Sequence, residues 1–315
     1  MTSNVKLFAG SASKNLAADI AQAYGQPLAQ ATTTIFSDGE MNISIEESVR
    51  GSYVFFIQST NAPADNIMQL LLLSDAAKRA SADYITAVIP CFGYARQDRK
   101  DRSRVPISAK LVANLLTAAG INRIMTMDLH ADQLEGFFDI PVDHLRSESI
   151  FMPYLQTQPE LLSNTIFASP DTGSTKRARN YAQFFQTEFV ICDKLRLKAN
   201  EVASMTVIGE VKDKDVIIID DLIDTAGTMC KAAEAIMAKG AKSVRAFCTH
   251  AVLSGKAYEL IEASPLTELI VTDTLPLKKE SHKIKVVSSA ELFAKAIRNA
   301  HEHKSMAPLF MTKKS

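Results

Sequence analysis

No excess charge of either sign marks the sequence, in which 35 lysines and arginines offset 35 aspartates and glutamates. A chain without a global field is not built to seek nucleic acid or an anionic membrane, so any partner has to be recognised at a local site. Cysteine is scarce as well. Cys91, Cys192, Cys230 and Cys248 lack the close pairing of zinc or redox motifs and read as reduced thiols. Long apolar runs are missing: Met68 to Leu73 falls far short of the roughly 20 residues that span a bilayer, and the opening MTSNVKLFAG holds no long apolar segment. These absences predict a soluble, cytoplasmic protein with no membrane or nucleic-acid partner. Two familiar phosphate signatures are also lacking, since neither G-x-x-x-x-G-K-[ST] nor G-x-G-x-x-G occurs.

What is present is enough apolar side chain, 47% of 315 residues, to bury a substantial core, and the length favours two domains over one. Apolar runs rich in β-formers alternate with segments of helical period: Tyr53 to Gln58, Asn66 to Arg79, Ile85 to Pro90, Ser108 to Ala119, Arg123 to Met127. The second half repeats the plan with strands at Thr165 to Ala168, Phe189 to Cys192, Val216 to Ile219 and Val244 to Cys248, and helices at Lys176 to Phe185 and Met229 to Lys239. Alternation of this kind predicts an α/β protein built on parallel sheets flanked by helices. A self-similar register supports duplication: AAGINRIMTMDLHA places His130 ten residues after Gly120, and AKGAKSVRAFCTHA places His250 ten residues after Gly240. Two similar domains are expected, 1–147 and 148–315, the second ending in a strand at Lys283 to Val287 and a helix at Glu291 to His301.

The most informative stretch is DVIIIDDLIDTAGT, Asp215 to Thr228, where a buried strand runs into two acids, a loop and a helix. A helix N-terminus offers backbone N–H groups and a positive dipole end to phosphate, Gly227 lets the backbone approach closely, and Thr225 and Thr228 can add donors. Asp220 and Asp221, at the strand's carboxyl end, are placed to accept hydrogen bonds from vicinal sugar hydroxyls. Acids beside a phosphate loop point to a sugar phosphate. The segment resembles the phosphoribosyl-diphosphate loop of type I phosphoribosyltransferases and, more closely, that of ribose-phosphate pyrophosphokinases of the phosphate-activated class. That resemblance extends the substrate-binding set over Asp224, Thr225, Ala226, Gly227 and Thr228.

Five further segments are similar to the same family and in its order. FSDGE implies that Phe36, Ser37, Asp38, Gly39 and Glu40 reach the adenine of ATP held by a neighbouring subunit. PCFGYARQDRK implies nucleotide contacts from Arg96 and Gln97, and an arginine fork suits phosphate oxygens. MDLHADQLEGFF and SPDTGSTKRAR imply that His130 and Asp171 bind the metal of the nucleotide complex, the latter a hard carboxylate suited to magnesium. DKLRLKANE implies catalytic roles for Lys194 and Arg196, with Arg196 also touching substrate, on a basic loop able to neutralise polyphosphate charge. Ser174, where the family commonly has glycine, and Leu195 and Leu197 depart from its usual wording.

The resemblance implies transfer of the β,γ-diphosphate of Mg-ATP to the C1 hydroxyl of ribose 5-phosphate, giving phosphoribosyl diphosphate and AMP for nucleotide biosynthesis. Mg2+ is the implied cofactor, ATP the co-substrate, and homo-dimers assembled to a hexamer the implied partners. Arg50, Arg102 and Arg104 resemble basic positions of a regulatory site for phosphate and ADP. Two rivals remain open on the sequence: a non-catalytic regulatory homologue, and a phosphoribosyltransferase that consumes a nucleobase.

Overall fold

The computed structural model describes residues 4–195 and 204–311. The chain forms two compact units, the first holding residues up to Arg146 together with Thr274–Pro276 and Ser289–Phe310, the second Ser147–Asp273 with Leu277–Ser288. Among the described residues no helix is long and apolar enough to cross a membrane.

The first unit runs β1 (Val5–Ala9), α1 (Lys14–Tyr24), β2 (Ala31–Ile35), β3 (Met41–Ile45), β4 (Tyr53–Ile57), α2 (Asp65–Arg79), β5 (Tyr84–Ile89), α3 (Ser108–Ala118), β6 (Arg123–Met127) and β7 (Val142–Leu145). Its sheet has the order β1-β4-β5-β6-β7, parallel throughout, and β2 and β3 pair apart as an antiparallel hairpin. The second unit runs α4 (Glu148–Gln156), α5 (Pro159–Leu162), β8 (Thr165–Ser169), α6 (Thr175–Phe185), β9 (Phe189–Leu195), β10 (Ser204–Ile208), β11 (Asp215–Ile223), α7 (Gly227–Ala238), β12 (Ser243–Ala251), α8 (Ala257–Ala263), β13 (Glu268–Thr272) and β14 (Ile284–Val287). Its sheet has the order β10-β9-β8-β11-β12-β13-β14, with β10 the one antiparallel member. Strands covered by helices on both faces must be apolar on both, which is why Val54–Ile57 in β4 and Val216–Ile219 in β11 read as continuous runs and are buried.

The two topologies match. The series β1-β4-β5-β6-β7 corresponds to β8-β11-β12-β13-β14, and the pair that follows the first helix leaves the sheet as β2 and β3 in one unit but stays in it as β9 and β10 in the other. This correspondence pairs β12 with β5, one strand away from the β12-with-β6 register suggested by Gly120 and Gly240. Both glycines do end a helix with positive φ, +100° and +92°. The glycine–strand–histidine offset thus recurs between strands that the topology does not equate, and it is not a marker of global register.

The unit division also corrects the expected 148–315 domain. The last helix, α9 (Ala290–His301), packs on α1 and belongs to the first unit. Its inner face buries Leu292, Phe293, Ala296 and Ile297, and burial of the leucine, phenylalanine and isoleucine stabilises by about 1.5–3 kcal/mol each. Reciprocally, α4, the helix after β7, belongs to the second unit. There Phe151 meets Phe247 edge-on at 5.3 Å and Glu148 accepts a hydrogen bond from Asn180 of α6.

Candidate active site

In the second unit the chain leaves β8 toward β9 on one side and leaves β11 toward β12 on the other. The carboxyl ends of β8 and β11 therefore border a topological switch point, the place where open α/β sheets hold ligands. The two strands end unequally. Pairing of β11 with β8 stops at Ile218, opposite Ala168, whereas pairing with β12 continues to Ile223, opposite Ala251. Asp220 and Asp221 thus lie within β11, past the point where β8 has turned away, and not after the strand as its apolar run suggests.

The turn after β8 faces them. Asp171 Oδ1 accepts the N–H groups of Gly173 (3.0 Å) and Ser174 (3.3 Å), which fixes that carboxylate at the start of α6. Ser174 Oγ donates to Asp220 Oδ1 at 2.5 Å, and the Asp221 N–H donates to the same oxygen at 2.9 Å. Burial first, and the adjacent Asp221 next, push the Asp220 carboxyl well above the usual carboxylate range, while the Ser174 hydroxyl acts against that rise. Asp171, Asp220 and Asp221 are thereby gathered at one crevice.

The Asp224–Thr228 loop leads from β11 into α7. Its strained residue is Ala226, left-handed at φ 63° and buried, whose carbonyl accepts the Cys230 N–H at 2.9 Å. Gly227 is not left-handed, and a Cβ built on it would meet nothing nearer than Thr225 Oγ1 at 3.9 Å. No contact within the protein therefore requires glycine at 227, and the space beside it is open to a ligand. Asp224 is pinned to the β12–α8 turn: Ser254 Oγ donates to its Oδ1, and the Ser254 N–H donates to its carbonyl at 3.0 Å. The α7 N-cap makes no side-chain hydrogen bond.

The equivalent crevice of the first unit, between β1 and β4, is filled by the protein itself. Fully buried Gln58 accepts the Ala12 N–H at 3.0 Å and donates to Gln69 Oε1 at 2.8 Å. A side chain on Gly10 would lie 2.2 Å from Gln58 Oε1. Arg96 and Gln97, predicted for the nucleotide, and His130, predicted for its metal, follow the next two strands instead, since β5 leads to Arg96 and Gln97 and its neighbour β6 leads to His130. Arg96 and His130 are exposed. Gln97 ties its loop to α3, accepting from Ser108 Oγ at 2.6 Å and, through its carbonyl, from the Ala109 N–H at 3.2 Å.

Sequence reasoning overlooks the residue that shapes the His130 turn. His144, buried at the end of β7, accepts the Leu129 N–H on Nε2 at 2.7 Å and donates from Nδ1 to Glu135 at 2.6 Å. The ring is therefore neutral in this arrangement, and burial, then the nearby Arg146, hold its pKa below the ordinary histidine value against the pull of Glu135. Arg146 completes the group through Asp132 at 2.7 Å. The sole signal in the sequence is a histidine in the short segment Val142–Leu145.

Phe36, Ser37, Asp38, Gly39 and Glu40 form the tip of the β2–β3 hairpin. The Phe36 N–H donates to the Glu40 carbonyl (2.8 Å), the Gly39 N–H to the Phe36 carbonyl (2.9 Å) and the Glu40 N–H to Asp38 Oδ1 (3.0 Å). Phe36 is 52% exposed, and the hairpin is anchored on α2 by Gln69 Nε2 donating to Thr33 Oγ1 at 2.9 Å. Lys194 is described only as backbone of β9, opposite Met205, and Arg196 lies outside the described residues.

Among the described residues no three His, Cys, Asp or Glu side chains gather as a metal cage. Mg2+ keeps several waters and takes one or two carboxylates together with substrate phosphates. Asp171, its orientation fixed by two backbone N–H groups, is such a carboxylate.

Comparison with known proteins converges on one family. Residues 5–120 match the model for the N-terminal domain of ribose phosphate pyrophosphokinase, and residues 190–311 match the phosphoribosyl synthetase-associated domain. The chain is 55% identical over 307 residues to a ribose-phosphate pyrophosphokinase of Campylobacter jejuni, covering 97% of this chain and 99% of that one. It is 52% identical over 307 residues to that of Porphyromonas gingivalis, covering 98% of each. The crystal structure of phosphoribosylpyrophosphate synthetase from Mycobacterium smegmatis superposes with a TM-score of 0.90 at 39% identity, over 95% of this chain and 99% of that one. Both halves of the sequence, its full-length relatives and its fold agree: the chain belongs to the ribose-phosphate pyrophosphokinase family.

Proposed function

We propose that the protein transfers the β,γ-diphosphate of Mg-ATP to the C1 hydroxyl of ribose 5-phosphate, releasing AMP and 5-phosphoribosyl 1-diphosphate for nucleotide biosynthesis in the cytoplasm. The observation that carries this reading is the pairing of Asp220 and Asp221 with a left-handed loop and a helix start at the switch point. Acceptor-only carboxylates suit sugar hydroxyls, and the Asp224 to Thr228 loop at the α7 N-terminus suits the 5-phosphate. The membership of the family and the names of its members support the same substrates.

In this reading Asp220 and Asp221 accept from the ribose hydroxyls, while Asp224, Thr225, Ala226, Gly227 and Thr228 hold the phosphate. Asp171 and His130 meet the magnesium that arrives with the nucleotide, whose chemistry is to shield charge on the phosphoryl oxygens. Arg96, Gln97 and the Phe36–Glu40 turn hold the nucleotide, the last from a neighbouring subunit of a dimer within a hexamer. Lys194 and Arg196 neutralise the charge that builds on the transferred group during in-line attack of the C1 oxygen on the β-phosphorus, with AMP as leaving group. Catalysis is then positioning and electrostatics. Arg50, Arg102 and Arg104 form the effector site for phosphate and ADP.

The test is AMP formation from Mg-ATP with and without ribose 5-phosphate, beside Lys194→Ala. Sugar-dependent AMP release that the substitution abolishes is the expected result. Nucleotide binding without turnover would instead identify a regulatory homologue, and nucleobase-dependent release of diphosphate would identify a phosphoribosyltransferase.

A further inference from the structure

Ser174 stands where family resemblance leads to an expectation of glycine, and its side chain behaves unlike a helix cap. A serine at this position ordinarily turns its oxygen onto the first N–H groups of its own helix. Here α6 has no side-chain cap bond from Ser174, and the carboxylate of Asp171 takes the N–H groups of the turn instead. The hydroxyl reaches across to β11, where it donates to Asp220 Oδ1 at 2.5 Å. Ser174 is only 5% exposed, so bulk water does not compete for that bond.

We propose that Ser174 is a positioning residue for the sugar site, its hydroxyl fixing the Asp220 carboxylate in the orientation that receives the ribose hydroxyls. The proposal rests on the reading of Asp220 as a sugar ligand given above. The Asp220 Oδ1 is the acceptor in both bonds, one from a hydroxyl and one from a backbone N–H. Two donors on Oδ1, the Ser174 hydroxyl and the Asp221 N–H, set the rotation of the carboxylate plane and with it the direction of Oδ2. Remove the hydroxyl and the Asp221 N–H on Oδ1 is left, on the residue next in sequence, which follows the same strand and cannot hold the plane from the opposite side of the crevice. A glycine at this position leaves the same backbone but no such control.

The experiment is steady-state AMP formation by Ser174→Ala, Ser174→Gly and Ser174→Thr, with Asp220→Asn in parallel, each substrate varied at saturation of the other. Glycine is well tolerated at a helix N-cap, so at least that variant retains the fold. With the bond to a charged group lost, KM for ribose 5-phosphate is expected to rise roughly tenfold in the alanine and glycine variants. KM for Mg-ATP is expected to hold, and Ser174→Thr, which keeps the hydroxyl, to stay within about threefold of the parent. The proposal is overturned if Asp220→Asn raises KM for ribose 5-phosphate but alanine and glycine at 174 do not; the sugar reading of Asp220 then survives. It is also overturned if KM for both substrates and kcat change together, the mark of a structural serine. If Asp220→Asn itself leaves KM for the sugar unchanged, the reading of Asp220 fails and the inference fails with it.

Discussion

Replacing Asp220 by asparagine exchanges one carboxylate oxygen for an amide nitrogen and removes one of two negative charges held on successive residues. Both bonds now made to Oδ1, from Ser174 Oγ and the Asp221 N–H, can be kept by the amide oxygen. The amide nitrogen is a donor where the parent has an acceptor beside Asp221. In the parent, burial and Asp221 raise the Asp220 carboxyl, so the folded protein binds that proton more tightly than the unfolded chain does. The stability from this group is complete below the ordinary carboxylate range and is lost as pH climbs through the raised value. Asparagine does not titrate and suffers no such loss. Near neutral pH the unliganded variant is therefore expected to be more stable by about 0.5–2 kcal/mol, the usual size of such a site-relieving change. For a unit of this size that moves the melting midpoint up by roughly 1–8 °C. Differential scanning calorimetry over a pH series is the assay, and the gain should widen as pH rises from the acid side and then level off. The same variant should need more ribose 5-phosphate for half-maximal rate. A midpoint at or below that of the parent, or a gain independent of pH, would refute the picture of a strained acid pair.

Gly227→Ala separates stability from function: its Cβ meets nothing within the protein nearer than 3.9 Å, so the melting midpoint should hold, while KM for ribose 5-phosphate rises because the methyl enters the open side of the loop. His144→Ala removes the acceptor that fixes the Leu129 N–H at 2.7 Å and should lower kcat/KM for Mg-ATP by roughly tenfold, with His144→Gln recovering part of it in the same kinetic assay. Phe36→Ala touches a side chain already 52% exposed, so stability by thermal denaturation should change by less than about 0.5 kcal/mol while KM for ATP rises.

The alternation of apolar runs and helical segments reveals the parallel sheets because strands covered on both faces must be apolar along their whole length. The same logic fails for the hairpin, where ATTTI has four exposed residues and no alternating pattern, so β2 is silent in the sequence. Composition points to Asp220 and Asp221, but how far β11 extends past β8 depends on a partner strand that no local pattern names. The loop offers a similar lesson: nothing local marks Ala226 as left-handed, since the geometry is fixed by where β11 ends and α7 begins. His144 was out of reach because its role is defined by the N–H of Leu129, fifteen residues away along the chain. An amphipathic pattern shows that α9 buries a face, and it does not say against which unit.

The exchange of α4 and α9 sets a timetable for synthesis. The first unit lacks its last helix until His301 has emerged, about 155 residues after Arg146, which at ribosomal speeds of roughly 5–20 residues per second is a wait on the order of ten to thirty seconds. Through that interval the nascent first unit presents the side of α1 that α9 will cover, an apolar surface open to chaperones and to neighbouring nascent chains. A stop codon anywhere before α9 strands the amino-terminal half in that state, so premature termination late in the gene damages the end of the protein that was made first.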